Sequence, residues 1–173
     1  MQIGLSFTVA PADVDESVLP GESPEAYAVR VALDKARIAA EHTAEGVVIA
    51  ADTIVVAGDA ILGKPSGPAD ARRMLLVLSG RRHEVITGLV VVDAATGRSS
   101  VRTSATKVWF RQLSDREIEA YVATGEPLDK AGAYGIQERG ALLVERIEGC
   151  YSNVVGLPLS LLGEMLREFG VYL

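Results

Sequence analysis

The chain has 173 residues, 49% hydrophobic and 23% charged, a size and balance that suit one domain with one large core and exclude a disordered polyelectrolyte. Its formal charge of −6, with acidic and basic residues interspersed, excludes the clustered positive surface that nucleic acid requires. A single cysteine, Cys150, leaves no internal disulfide, and no apolar run reaches the ~18 residues of a membrane span, so a reducing cytoplasm is expected.

Met1-Gln2-Ile3-Gly4 lacks the basic and long apolar stretches of a signal peptide. Residues 5–10 read as a short strand. Ser23-Pro24-Glu25 is a helix start, with a capping hydroxyl followed by proline at the first helical position, and the helix is expected to run to Glu41. Val47 to Ala51 is a β-branched apolar run that reads as a buried strand delivering Asp52 at its end, with Ile54-Val55-Val56 continuing it. Pro68 to Leu78 predicts a second helix stopped by Gly80. Val85 to Asp93 and Ser99 to Phe110 flank Ala94-Ala95-Thr96-Gly97 and predict an antiparallel hairpin. Ser114-Asp115-Arg116-Glu117 has the form of a capping box, and Ile118, Tyr121 and Val122 give the helix after it an apolar face ending at Gly125. Alternating helices and strands with an inserted hairpin predict an α/β domain over 1–173, built on a mixed sheet with flanking helices.

The residue types that carry chemistry are lysines, carboxylates and a carboxamide. Gly58 to Lys64 has the glycine and lysine spacing of a P-loop, but Pro65 stands where a Mg²⁺-binding hydroxyl belongs, which argues against a Walker site. His42 and His83 have no cysteine or histidine cluster around them, so a zinc site has no ligands. Cys150 reads as a packed thiol. Asp52 alone reads as a cap of the following turn, but its neighbours favour a functional carboxylate, since Lys64 follows a tight turn at Gly63 and is fixed by Pro65. Lys35 is either a surface charge beside Asp34 or a phosphate ligand. Asp13, Asp15 and Glu16 form an acidic loop, either a solvated turn or a source of cation ligands. Gly125-Glu126-Pro127-Leu128-Asp129-Lys130 joins a helix end to a glycine-rich loop, a common place for function on a rigid scaffold.

Together these segments resemble the Maf family of nucleoside triphosphate pyrophosphatases, across essentially the whole chain. The matching motifs are Asp13-Val14-Asp15-Glu16, Lys35-Ala36, Ala51-Asp52-Thr53, Gly63-Lys64-Pro65, Leu78-Ser79-Gly80-Arg81 and Thr87-Gly88, then Gly125-Glu126-Pro127, Asp129 through Gln137, and Asn153-Val154-Val155-Gly156-Leu157-Pro158. The resemblance implies an inosine-triphosphatase-like fold with an active-site cleft between two lobes, and a cytoplasmic homodimer. It also implies hydrolysis of a nucleoside triphosphate between the α and β phosphates, and a housekeeping role with a link to arrest of cell division. The Gly132-Ala133-Tyr134-Gly135-Ile136-Gln137 form resembles the branch acting on dTTP and UTP rather than on 7-methyl-GTP. By the same resemblance Asp52 is the proton acceptor, Thr53 and Gln137 select the base, Glu16 is a metal ligand, and Lys35 and Lys64 hold phosphate oxygens.

Elementary chemistry supports that division of labour. Attack on the α-phosphate requires charge neutralisation, which Mg²⁺ or Mn²⁺ and two lysines supply, and a carboxylate can take the proton of the attacking water. Asp52 suits that base or a direct metal ligand equally, and the carboxamide of Gln137 matches a donor and an acceptor on a pyrimidine edge. Two departures from the family stand out. Its leading strand, Ser-x-Ser-Pro-Arg-Arg loop and helix, which precede the segment matching Leu5 to Val9, have no counterpart here, and Met1 to Gly4 resembles the tail of that helix. Their loss predicts an open sheet edge, exposed core with poor solubility or a compensating dimer contact, and weaker substrate binding. A catalytically weak or inactive nucleotide-binding or interaction protein is therefore the alternative function. The second departure is Glu138 in a position where the family usually carries glycine, and glycine tolerates positive φ where glutamate does not.

Overall fold

A computed structural model describes residues 4–172; Met1, Gln2 and Ile3 of the expected helix tail lie outside them. Helix α1 (Pro24–Glu41) opens with Ser23 Oγ accepting from Ala26 N–H, as its capping signal predicts. Strand β1 spans Val47–Ala57 and turns back through β2 (Ala60–Leu62). Helix α2 (Pro68–Leu78) follows and ends before Gly80, which has φ 66°. Strands β3 (Arg82–Asp93) and β4 (Ser99–Phe110) form the expected hairpin. Helix α3 (Asp115–Val122) carries the full capping box between Ser114 and Glu117. Three 3₁₀ turns (Glu126–Asp129, Ala131–Ala133, Glu138–Leu143) lead to β5 (Val144–Glu148), α4 (Tyr151–Val155) and α5 (Leu159–Glu168). Among the described residues no helix is long and apolar enough to cross a membrane.

The strands form one sheet in the order β2-β1-β3-β4-β5. The α/β class with flanking helices stands, but all four described ladders are antiparallel, where a mixed sheet was expected. The reason is topological. β2 and β3 both run antiparallel to β1, one on each side of it, so the helix-linked crossover through α2 skips a strand and brings no parallel pair into contact. The strand expected at residues 5–10 is also absent: Leu5 packs against the sheet while Phe7 and Val9 are exposed, and the segment joins no ladder. β1 runs through Asp52 and on along Ile54-Val55-Val56 as expected, paired from Val47 to Val56 with β3. Because β2 covers only Val55 to Ala57, the outer edge of β1 before Val55 is unpaired among the described residues.

Both faces of the sheet are covered. On one face α1 buries Tyr27, Ala28 and Val31 against Ile54, Val56 and Ile86, and Ala32 and Ala36 against Val90. The approach is close because Gly88 has no side chain: a Cβ there would lie 2.4 Å from the carbonyl oxygen of Ala28. On the other face α5 buries Leu162, Met165 and Leu166 against Leu89 and Val91, and α2 and α3 cover Val55, Val85, Val108 and Phe110. His83 is buried in that second layer, donating or accepting at Nε2 with the Tyr134 hydroxyl at 2.8 Å and edge-on to Phe110. Burial pushes its imidazole down to about 4, so it packs as a neutral ring.

Candidate active site

The site begins on α1. Ala28, Val31 and Ala32 define the stripe that faces the sheet, and Lys35 continues it one turn on, so the helix aims the lysine inward rather than at solvent. Register places Asp52 opposite Gly88, where the backbone of α1 lies close against the sheet. Lys35 Nζ donates to Asp52 Oδ1 at 2.6 Å and pairs with Glu16 Oε1 at 2.7 Å. Three residues far apart in sequence thus meet on one ammonium.

Glu16 reaches that point because α1 holds its loop by the backbone. Tyr27 Oη donates to the carbonyl of Glu16 at 2.7 Å, and Arg30 donates to the carbonyls of Ser17 at 2.8 Å and Asp15 at 3.4 Å while pairing with Glu22. Asp15 turns its carboxylate onto Ser17, so of the acidic loop only Glu16 joins the cluster through a direct contact. Tyr27 and Arg30 went unassigned in the sequence. The signal was present, since both share α1 with Lys35, but nothing in a single sequence says which loop they hold.

Burial pushes the Asp52 carboxyl above the ordinary aspartate range, aided by repulsion from Glu16 and opposed by the hydrogen bond and charge of Lys35. Glu16, more exposed, is held below the glutamate range by its bond to Lys35. Two carboxylates in one small site therefore separate in proton affinity, the arrangement that lets one take a proton while the other stays charged.

Thr53, next in sequence, points to the opposite face of the sheet. Its Oγ1 lies 2.8 Å from Thr87 Oγ1 and donates to the carbonyl of Gly156 at 3.2 Å. Asn153, fully buried, donates from Nδ2 to the Val85 carbonyl and to Thr106 Oγ1, fixing α4 and the Gly156 turn on the sheet. A cavity of about 380 Å³ opens here, and it gathers Asp52, Thr53, Lys64, Lys130, Gln137 and Gly156. Lys35 and Glu16 do not line it; they reach it through Asp52. Cys150 is half-buried with Sγ 3.1 Å from Ser152 Oγ.

The far wall of the cavity is the loop from Lys130 to Glu138. Gly132 packs on Val55 with φ 66°, where a Cβ would lie 2.8 Å from the valine side chain. Glu138 also has positive φ, 53°, so the glutamate adopts the conformation for which glycine is suited. Glu138→Gly is expected to raise stability by about 0.5–1 kcal/mol after glycine's larger chain entropy is counted, or about 1–4 °C in Tm for a chain of this size. A lowered Tm in a thermal melt would show that the glutamate side chain contributes more than its backbone strain removes.

Glu16 and Asp52 also pass a simple test as cation ligands. They are hard oxygen donors, both turned to one positive group, and the Lys35 ammonium stands in the place where a cation would be attracted. Mg²⁺ is commonly held by one or two carboxylates with substrate phosphates and water completing its shell, so two carboxylates suffice. Among the described residues no group of three histidine, cysteine or acidic side chains could form a closed protein cage.

Residues 1–169 match the family model described as Maf-like protein. The chain belongs to the Maf family. Among Maf relatives named dTTP/UTP pyrophosphatase, one from Moorella thermoacetica is 55% identical, the alignment covering 98% of this chain and 88% of the relative. Another from Syntrophomonas wolfei is 48% identical over 97% of this chain and 89% of its own length. A third, from Anaeromyxobacter dehalogenans, is 53% identical over 98% of this chain and 86% of its own length.

Proposed function

We propose that this Maf-family chain, one domain over residues 1–173, is a pyrophosphatase that hydrolyses dTTP and UTP to the monophosphate and pyrophosphate. The observation that carries the reading is the meeting of Asp52, Thr53, Lys64 and Gln137 in one cavity of a chain about half identical to enzymes of that name. Asp52, its carboxyl raised by burial, takes the proton from a water as the water oxygen bonds to the α-phosphorus. The bridging bond to the β-phosphate breaks and pyrophosphate leaves. Lys35 orients Asp52 through its 2.6 Å bond, and Lys64 offers a charge to the phosphate oxygens. Glu16 and Asp52 would hold Mg²⁺ or Mn²⁺, which when bound supplies further neutralisation of the triphosphate. Thr53 and Gln137 line the same cavity and offer a hydroxyl and a carboxamide to the base. A housekeeping role in the cytoplasm, as a homodimer, fits this activity.

Pyrophosphate release measured with Mg²⁺ on dTTP, UTP, CTP and 7-methyl-GTP tests the reading. Turnover is expected with dTTP and UTP and to be weak with the other two. Silence on all four, with melting shifts on adding UTP, would instead establish a binding protein.

A further inference from the structure

The loop that carries Gln137 is tied at both ends to one pair of side chains. Tyr121, in α3, donates from Oη to Glu126 Oε1 at 2.9 Å and accepts from Gly135 N–H at 3.3 Å. Glu126 Oε1 accepts from Gly140 N–H at 3.0 Å, and its Oε2 accepts from Arg139 N–H at 3.3 Å. Burial, reinforced by the Glu126 carboxylate, holds the Tyr121 phenol well above its ordinary range, so it remains the donor in that pair. The tied ends touch: a Cβ on Gly140 would stand 2.0 Å from the Gly135 carbonyl oxygen. Between them Ile136 is buried, Gln137 lines the cavity, and Glu138 is held at positive φ. An exposed loop with an unfavourable residue at φ 53° needs such an external constraint.

We infer that Glu126 is a positioning residue that sets the aim of Gln137 and thereby the choice of pyrimidine. Glu126 is separate from the reacting atoms and acts through the loop backbone; the inference rests on Gln137 selecting the base, as proposed above. Both carboxylate oxygens are in use, so an amide cannot replace them. Either orientation of a glutamine would turn its NH₂ toward a backbone N–H, of Gly140 or of Arg139.

The test compares kcat/KM for UTP and CTP in wild type, Glu126→Gln, Gln137→Ala and the double variant, with a thermal melt of each. Glu126→Gln is expected to lower the UTP to CTP ratio by about tenfold or more, chiefly through KM for UTP, since a ~1 Å misplacement can cost up to ~10²-fold. In the Gln137→Ala background the same change is expected to leave the ratio unmoved, because the side chain it aims is gone. An unchanged ratio in Glu126→Gln, or an equal loss in both backgrounds, would overturn the inference, and a lowered Tm alone would reduce Glu126 to a structural role. If Glu126→Gln does not fold, Tyr121→Phe removes two of the same ties and the same fall in ratio is required of it. Wild type that does not hydrolyse UTP at all would instead refute the proposed activity.

Discussion

Asp52→Asn is expected to lower kcat by at least about 10²–10⁴, the range that a positioned general base contributes, while leaving the melting curve close to that of wild type. The asparagine carbonyl can still accept the Lys35 bond, so the geometry at 2.6 Å survives while the proton acceptor and the negative charge offered to a cation are lost. Glu16 keeps its own bond to Lys35 and prevents the lysine from being stranded. Measured pyrophosphate release from UTP that persists at the wild-type rate would remove Asp52 from the mechanism. A large drop in Tm would mean that the loss of activity reports unfolding.

Lys35→Met is expected to act on the same carboxylate from the other side. As a base Asp52 works only when unprotonated, so activity falls as pH drops through its raised pKa. Lys35 pulls that value down, and its removal, with Glu16 still adjacent, should move the acid limb of the kcat/KM profile to higher pH and reduce turnover at neutral pH. Stability should fall as well. The Asp52 side chain is 11% exposed and Glu16 42%, so repulsion is only partly screened, and about 1–3 kcal/mol is expected rather than the 3–5 of a fully buried broken pair. Because the folded-state pKa of Asp52 is then raised further above its unfolded value, this loss is smallest in acid and grows as pH rises through that folded value. A pH profile unshifted in Lys35→Met would separate the lysine from Asp52's titration and leave it a structural tie between the two carboxylates.

Much of this was legible in the sequence where the signal is local. The capping hydroxyl of Ser23, the capping box at Ser114 and Glu117, the hairpin around Thr96-Gly97 and the β-branched run before Asp52 each depend on a few neighbouring residues. Glu138 is a clear case: a glutamate standing in a glycine place was readable, and its φ of 53° is the physical counterpart. What was not legible depends on contacts across the chain. The pairing direction of β3 is set by β2 lying on the other side of β1, and a three-residue strand leaves almost no periodic signal. Residues 5–10 read as a short strand, yet a strand needs a partner in the sheet as well as a local sequence. Lys35 by itself is compatible with a surface charge or a ligand, and the apolar spacing of Ala28, Val31 and Ala32 carries the information that points it inward. Arg30 and Tyr27 donate to backbone carbonyls and Glu126 accepts from backbone N–H groups, and backbone donors and acceptors have no letter in a sequence.

The alternation of a strand gives the site its layout. Asp52 and Thr53 are neighbours in β1, yet one faces α1 with the lysine and carboxylates, and the other faces α4 and the base-side wall. Under the proposed activity, a nucleotide touching both reaches around the open margin of the sheet, phosphates to one side and pyrimidine to the other. The span between the bond that breaks and the ring that is recognised is then gauged by a single peptide unit of extended backbone, clamped in register by β3. That spacing belongs to the β1–β3 register, so Asp52 and Thr53 cannot move apart unless the ladder slips.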